Sequence, residues 1–251
     1  IYGENAVEKG PNLELLEKAF KAGVQVLVFS TPNNPTGLVY SKAVIESIAN
    51  LATSKDVTVI VDQLYSRLLY SEEVYSHLRA CKIQPKDLIT IMGPSKTESL
   101  SGFRLGTAFG TPKLIDRMEK LQAIVSLRAA GYNQAALGTW FQEPTGWMEN
   151  RITQHEAIRD DLLGVFRCAG LETSTPQAGS YLFPKLPTLD LSTDIFVWML
   201  RHQAGVTVTP GAEFGPNSGG SIRLNFSQDH ITAVAAANRI VEMVQRYTAP
   251  K

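Results

Sequence analysis

The sequence has few cysteines, no excess of either charge and no long apolar run. Its 251 residues include two cysteines, Cys81 and Cys168, which are too far apart in sequence to suggest a disulfide framework or a zinc site. Both are predicted to be reduced thiols in a cytoplasmic protein. Lys and Arg number 24, as do Asp and Glu, so no overall basic field would attract nucleic acid or an anionic membrane. The expected partners are small molecules or other protein chains.

Membrane and secretion signals are also missing. No apolar run approaches the roughly 20 residues that a membrane-spanning helix needs. The opening residues, 1–5, lack the charged and apolar regions of a signal peptide, so secretion is not expected. The sequence does not begin with Met, which is compatible with a processed or partial version of a longer protein.

The pattern that is present is an alternation of apolar strands with helices. With 44% hydrophobic and 19% charged residues, the chain has enough apolar side chains for a substantial core. Strands are predicted at residues 26–29, 57–62, 88–92 and 105–109, and a helix capped by Ser41 reaches about residue 54. The first strand is expected to be buried on both faces. This order predicts an α/β fold with a mostly parallel mixed sheet flanked by helices.

The second half of the sequence has a different pattern. Helices are predicted at 112–125, 133–141, 147–166, 194–202 and 231–247, with short strands at 181–183, 206–208 and 222–225. We therefore expect a large domain at 1–145, followed by a long connecting helix and a smaller α+β domain at 146–251.

Polar residues follow three of the predicted strands. Asn34, Asp62 and Lys96 provide an amide, a carboxylate and an amine, and ligands of open α/β sheets bind beyond the carboxyl ends of the strands. Taken singly, the three also fit a turn, a helix cap and a solvated lysine.

Together with their neighbours, these residues form an ordered set of motifs. The set consists of Asn33-Asn34-Pro35-Thr36-Gly37, Asp62-x-x-Tyr65, Ser95-Lys96-Thr97 followed by Ser101-Gly102-Phe103-Arg104-Leu105-Gly106, and Ser221-Ile222-Arg223-Leu224. In order and spacing it resembles the fold-type-I, pyridoxal-phosphate-dependent aminotransferases, and the likeness extends from near the N-terminus to the last helix.

The resemblance implies a role for each residue. Lys96 would hold pyridoxal 5′-phosphate as a Schiff base and, once free, act as the general base. Asp62 would pair with the protonated pyridine nitrogen, which makes the ring an electron sink. Asn34 and Tyr65 would hydrogen-bond the ring oxygen, so that Lys96, Asp62 and Tyr65 form the catalytic set.

Two arginines and a serine complete the implied site. Arg104 would hold the cofactor phosphate with its planar fork, and Ser95 would add a hydroxyl nearby. Arg223, together with Asn34, would bind the α-carboxylate of an amino acid or 2-oxo acid. No metal ligand is implied, and a homodimer is expected.

The sequence departs from the family pattern in three places. Gly93 stands where relatives commonly have a hydroxyl residue that binds phosphate. Glu98 stands where an aromatic residue is common, and a peripheral, solvated position is expected for its charge. Nothing before Asn34 resembles the family's phosphate-binding turn or its ring-stacking aromatic residue, and the helix predicted at 12–22 is not such a turn. The chain therefore looks like a fragment of a longer enzyme.

Three alternatives to an aminotransferase stay open on the sequence. The same fold also carries decarboxylases and lyases that resemble aminocyclopropane-carboxylate synthase. An aminotransferase-like effector domain of a transcription regulator is another reading, although no basic segment or helix-turn-helix is present. A non-catalytic relative is the third.

Overall fold

A computed structural model describes residues 10–71 and 73–249; the segment 1–5, for which no signal peptide is predicted, lies outside this range. The chain forms two compact units. The first contains the described residues up to Asn33, together with Leu38–Met148 and Gln177–Gly179. The second contains Asn34–Gly37, Glu149–Pro176 and the described residues from Ser180 onward.

A four-stranded sheet forms the centre of the first unit. Its strands are β1 (Val26–Ser30), β2 (Thr58–Asp62), β3 (Leu88–Met92) and β4 (Thr107–Phe109), adjacent in that order. The first three are parallel and β4 is antiparallel. The predicted α/β fold with a mostly parallel mixed sheet is thus confirmed. Because parallel strands end at one edge, the residues that follow β1, β2 and β3 leave the sheet on the same side.

Two capped helices cover one face of this sheet. Helix α1 (Leu13–Lys21) begins where the Asn12 side chain accepts the Leu15 N–H, and α2 (Lys42–Ser54) begins where Ser41 accepts the Val44 N–H. The apolar positions of α2 recur at the helical period and are buried against the valines of β2; they are Ile45, Ile48, Ala49 and Ala52. Each buried Ile or Val contributes about 1.5–3 kcal/mol, which fixes the helix on the sheet.

Strand β1 is not buried on both faces, so that prediction is wrong. Leu27 and Phe29 pack against the core, whereas Val26 and Val28 are 49% and 65% exposed. The reason is that, within the described part of the chain, no layer covers the second face of β1, which is also the edge strand of the sheet.

The middle of the chain is helical, as predicted. Helix α3 (Pro112–Val125) is followed by the short α4 (Gly131–Ala135) and by α5 (Trp147–Cys168). The helix predicted at 133–141 is interrupted, because the backbone tightens to a 3-10 turn at Ala136–Thr139. In the described part of the chain, no helix is both long and apolar enough to cross a membrane.

The second unit contains a small antiparallel sheet and two further helices. Strand β7 (Ile222–Asn225) is central, between β5 (Tyr181–Leu182) and β6 (Thr209–Pro210). Helix α6 (Thr193–Met199) continues into one π-helical turn (Leu200–Ala204), and α7 (His230–Tyr247) is capped by Asp229.

One short strand was predicted in the wrong place. The paired residues are Thr209 and Pro210, not 206–208. Val206 and Val208 are buried, so their apolar side chains belong to the core, and the Val206 N–H donates to the carbonyl of Leu200, the first residue of the π-helical turn.

Candidate active site

Two residues of the candidate site follow neighbouring strands of the first unit. Asp62 is the last residue of β2, and Lys96 lies in the loop that follows β3. That loop is closed by two backbone hydrogen bonds, from Ser99 N–H to the Lys96 carbonyl and from Leu100 N–H to the Pro94 carbonyl, each 3.1 Å. The geometry brings an amine and a carboxylate to the carboxyl edge of the parallel strands.

Asp62 is half-buried at this edge. Burial raises the pKa of its carboxyl group, while the Leu64 N–H, which lies 2.9 Å from Oδ1, and the positive charge of Lys96 both lower it. Because burial is the largest of these effects, the carboxylate has less stabilisation than it would have in water. A further positive partner would therefore be bound favourably.

Tyr65 lies beside the lysine. The Lys96 Nζ is 5.9 Å from the centroid of the Tyr65 ring, within cation–π range, and the ring is almost fully buried. Gly179 packs against this ring: a Cβ added there would lie 3.3 Å from the Tyr65 ring, and its φ of +79° is one that side chains avoid. The Tyr70 hydroxyl donates to the Gly179 carbonyl, which holds the glycine in place.

A crowded backbone explains the glycine at position 93. A Cβ there would lie 3.1 Å from the Leu105 carbonyl oxygen, 3.2 Å from the Gly106 Cα and 3.3 Å from a Leu64 methyl. These contacts leave no room for a hydroxyl side chain without movement of the β3–β4 connection. The departure from the family pattern thus has a local steric cause.

The two predicted phosphate ligands of the first unit bond to backbone carbonyls. The Ser95 hydroxyl donates to Leu105 at 3.0 Å, and the exposed Arg104 donates from Nη1 to Ser101 at 2.7 Å. Arg104 itself has φ +53°, and this left-handed residue delays β4 to Thr107, two residues after the predicted start. Their role toward a phosphate stays a prediction.

Glu98 is buried, so the predicted peripheral position is wrong. Only 7% of its side chain is exposed, because it is ion-paired with Arg67. Arg67 also pairs with Glu143, with 2.7 Å between Nη1 and Oε1. Burial raises the pKa of Glu98, and Arg67 opposes that shift.

The second unit holds Arg223 with Asn34. From the central strand β7, Nη1 of Arg223 donates to Asn34 Oδ1 at 3.0 Å and Nη2 donates to Thr209 Oγ1 at 3.1 Å. The guanidinium carbon lies 4.3 Å from the centroid of the Tyr181 ring and 4.8 Å from that of Phe214. The two residues predicted to bind the substrate carboxylate, Arg223 and Asn34, are thus in direct contact. The Arg223 guanidinium is held in one orientation by protein groups alone.

Sequence reasoning missed two residues of the first site. Tyr75 donates its hydroxyl to the Thr31 carbonyl at 2.7 Å, and burial and then the charge of Asp62 raise its pKa. Arg67 lies two residues after Tyr65 but belongs to no motif. Only the unusual Glu98 hinted that a cation was needed nearby.

Comparison with known proteins identifies the family. Residues 6–240 match aminotransferase class I and II, and the chain belongs to this family. It is 30% identical to an asparagine–oxo-acid transaminase of Streptococcus mutans over 93% of the chain, and 28% identical to an aspartate aminotransferase of Pyrococcus horikoshii over 96%.

The solved structures agree. The crystal structure of an aspartate aminotransferase from Rhodobacter sphaeroides 2.4.1 shares 59% identity and a TM-score of 0.94 over 98% of this chain. The chain covers 61% and 62% of the two curated relatives and 64% of the Rhodobacter chain. It therefore spans about three fifths of the length of these relatives.

Proposed function

We propose that the protein is a pyridoxal-phosphate-dependent aminotransferase that moves an amino group between an amino acid and a 2-oxo acid. The observation that carries the proposal is the grouping of Lys96, Asp62 and Tyr65 in the first unit of a chain that belongs to the aminotransferase family. An amine beside a carboxylate and a phenol is the set of groups that this chemistry requires.

The residues fit the cofactor chemically. Pyridoxal phosphate, when bound, supplies an aldehyde and a pyridine ring that accepts electrons. The desolvated carboxylate of Asp62 would be stabilised by a protonated ring nitrogen, which is the positive partner that its surroundings favour. Tyr65 would donate to the ring oxygen, and Ser95 and Arg104 would hold the phosphate once they exchange their carbonyl partners for it.

Lys96 has two tasks in this proposal. Its Nζ would hold the cofactor aldehyde and, when displaced by substrate, would move a proton to and from the substrate carbon. The lysine lies in a loop, and its amine is 5.9 Å from the centroid of the Tyr65 ring, so one amine beside a phenol would carry out both tasks.

Arg223 would bind the carboxylate that amino acids and 2-oxo acids share. Its planar fork suits two parallel charge-assisted hydrogen bonds, and the rings of Tyr181 and Phe214 keep it from rotating. Asn34 and Thr209 orient the same guanidinium, so it needs little reorganisation when it binds a carboxylate.

The larger organisation follows the family in this proposal. Residues 1–145 would form the cofactor-binding domain and 146–251 the connecting helix and small domain. A homodimer is supported by large apolar side chains exposed on and after α3, namely Leu121, Ile124, Val125 and Leu127. Free thiols at both cysteines fit a cytoplasmic location.

The proposal is tested by chemical labelling and half-reactions of the complete gene product. After loading with pyridoxal phosphate and reduction with borohydride, the tryptic peptide containing Lys96 is expected to carry the cofactor. An amino acid should convert the bound cofactor to its amine form, and a 2-oxo acid should restore it. Lys96→Ala should abolish the label, and Lys120→Ala, an exposed lysine paired with Asp116, should not.

Two results would contradict the proposal. One is a label on a different lysine. The other is regeneration of the original absorbance with release of a product that is not a 2-oxo acid, which would indicate a decarboxylase or lyase.

A further inference from the structure

A partly buried charge cluster connects the segments that carry the lysine and the tyrosine of the candidate site. It consists of Arg67, Glu98 and Glu143, and is named here the Arg67 cluster. Arg67 lies two residues after Tyr65, and Glu98 lies two residues after Lys96. An ion pair between them therefore joins two short segments that are far apart in sequence.

Each of these segments is a hydrogen-bonded turn. In the first, Ser66 N–H bonds to Gln63 and Leu68 N–H bonds to Tyr65, each at 2.9 Å. In the second, the amides of Ser99 and Leu100 close the loop around Lys96. Because both turns are short, a link between Arg67 and Glu98 restricts the residues two positions before each of them.

A third segment holds the guanidinium from another side. Glu143 accepts from the same Nη1 atom, and the guanidinium carbon lies 4.3 Å from the centroid of the Phe141 ring. The side chains of Arg67, Glu98 and Glu143 are 22%, 7% and 16% exposed, so the cluster is partly shielded from water, most strongly at Glu98. The cluster is thus attached to the turn of Tyr65, the loop of Lys96 and the segment after α4.

The balance of charge argues against a purely stabilising role. One guanidinium faces two carboxylates, and burial raises the pKa of Glu98 although Arg67 opposes it. Buried ion pairs contribute little net stability, since desolvation offsets the attraction, and a cluster of one cation and two carboxylates, with a net negative charge, contributes less. Their best-attested use is to select one arrangement of the chain.

We propose that the Arg67 cluster sets the position of the Lys96 amine relative to Tyr65 and Asp62, so that Arg67 and Glu98 are positioning residues of the active site. Its catalytic meaning depends on the proposed function, whereas the positioning itself is a property of the chain. The two parts are therefore tested by separate measurements on the same variants.

The first measurement is hydrogen exchange of the complete gene product without added cofactor. In Glu98→Gln the amides of Ser99 and Leu100 are expected to exchange about tenfold faster, because the loop loses its charged link. The matched control is Glu119→Gln, which removes an exposed pair with Arg128 and should leave these amides unchanged.

A second pair of variants separates positioning from general loosening. Glu143→Gln should speed exchange after α4 while Ser99 and Leu100 stay protected, since the Arg67–Glu98 pair remains. Arg67→Lys keeps the charge but loses the fork, so it should loosen both turns by less than Glu98→Gln does. If Glu98→Gln folds poorly, Arg67→Lys tests the same link.

The second measurement is the pH titration of the absorbance of bound pyridoxal phosphate. Displacement of Lys96 from Tyr65 weakens the hydrogen bonds that favour the ring oxygen anion, so Glu98→Gln should raise the midpoint by about half a pH unit. Glu119→Gln should not move it.

The outcomes distinguish the two proposals. If the wild-type protein takes up no cofactor at Lys96, the proposed function fails, and the exchange rates still decide the positioning. If Ser99 and Leu100 exchange at the wild-type rate in both Glu98→Gln and Arg67→Lys, the positioning role is overturned, whatever the cofactor does.

Discussion

The two units hold their candidate functional groups in opposite ways. In the first, the Asp62 carboxylate accepts a hydrogen bond from the Leu64 N–H, and the Lys96 amine, which is on a loop, lies above the Tyr65 ring. In the second, Arg223 is fixed on a central strand by two hydrogen bonds and two aromatic rings. The first unit leaves its charged groups able to change position, whereas the second holds its guanidinium in one orientation.

The difference matches the two kinds of work that the proposed reaction needs. A group that moves protons must change its protonation state and turn between partners, so strong permanent hydrogen bonds would hinder it. A group that binds a carboxylate works best when its geometry is set in advance, because less freedom is lost on binding. The variants below test whether this division is real.

The largest effect is expected at Asp62. Asp62→Asn keeps the shape but removes the charge that would face the ring nitrogen, so kcat should fall by about 10²–10³-fold, as for loss of one preorganised electrostatic contact. Steady-state kinetics on the cofactor-loaded protein measures the loss. Asp56→Asn is the matched control, since Asp56 is exposed and has φ +51°, a conformation that Asn tolerates.

The same variant should be more stable than the wild type at neutral pH in the absence of cofactor. Burial raises the pKa of folded Asp62 above its unfolded value, so the ionised group destabilises the fold when the pH is above the folded pKa. As the pH falls through the folded pKa toward the unfolded value, the proton neutralises Asp62 and the advantage of Asn should vanish. Denaturant unfolding at several pH values measures this, and an Asn variant that is less stable at neutral pH would contradict it.

Arg223 should show the next largest effect, and of a different kind. Arg223→Lys retains the charge but loses the fork, and the loss of one charge-assisted hydrogen bond costs about 1.5–3 kcal/mol. We expect kcat/KM for the amino acid to fall by about 100-fold, mostly through KM, because the fork binds rather than reacts. Substrate-dependence curves separate the two constants.

The control for this variant is Arg246→Lys. Arg246 also donates to a side chain, Gln203, but is exposed at the end of α7. Arg246→Lys should leave both kcat and KM unchanged. A fall in kcat alone for Arg223→Lys would mean that the second unit contributes to the chemical step, and the contrast between the units would be lost.

Much of the fold follows from local sequence signals. The alternation of apolar strands with helices predicted the mixed sheet, and the cap at Ser41 and the 3.6-residue period predicted α2 with an end near Ser54. These features depend on neighbours in sequence, and so the sequence reveals them.

Features that depend on what packs against a segment were not predictable in the same way. Val26 and Val28 have the composition of a strand buried on both faces, but the described chain provides a layer for only one. Val206 and Val208 have the composition of a strand, but in the structure both side chains are buried in the core and the paired residues are Thr209 and Pro210. The composition of a segment indicates which secondary structure it favours, but not which other segment packs against it.

The same distinction between local sequence signals and contacts with distant residues applies to the candidate site. The motifs pointed to Lys96, Asp62, Tyr65 and Arg223, and their roles stay predictions. The peripheral position predicted for Glu98 was wrong because its partner, Arg67, is 31 residues away in sequence. No local pattern connects two side chains across that separation.

The smallest expected effect compares two glycines, one in each unit. Gly179 and Gly170 have similar left-handed backbones, with φ +79° and +75°, but only Gly179 touches another side chain, the Tyr65 ring at 3.3 Å from an added Cβ. Alanine at either position should cost about 1–2 kcal/mol of stability from the backbone alone. The two variants therefore differ chiefly in the contact with Tyr65.

Activity should separate the two alanine variants where stability does not. Gly179→Ala must push the Tyr65 ring by a few tenths of an ångström, so kcat should fall by up to about tenfold, since misplacement near the reacting groups is costly. Gly170→Ala has nothing within 4 Å of the new methyl group and should retain the wild-type kcat. Denaturant unfolding and kinetics on both proteins decide the matter. Equal kcat values would mean that Tyr65 tolerates displacement, and that the first unit is adjustable not only at its amine but also at the ring beside it.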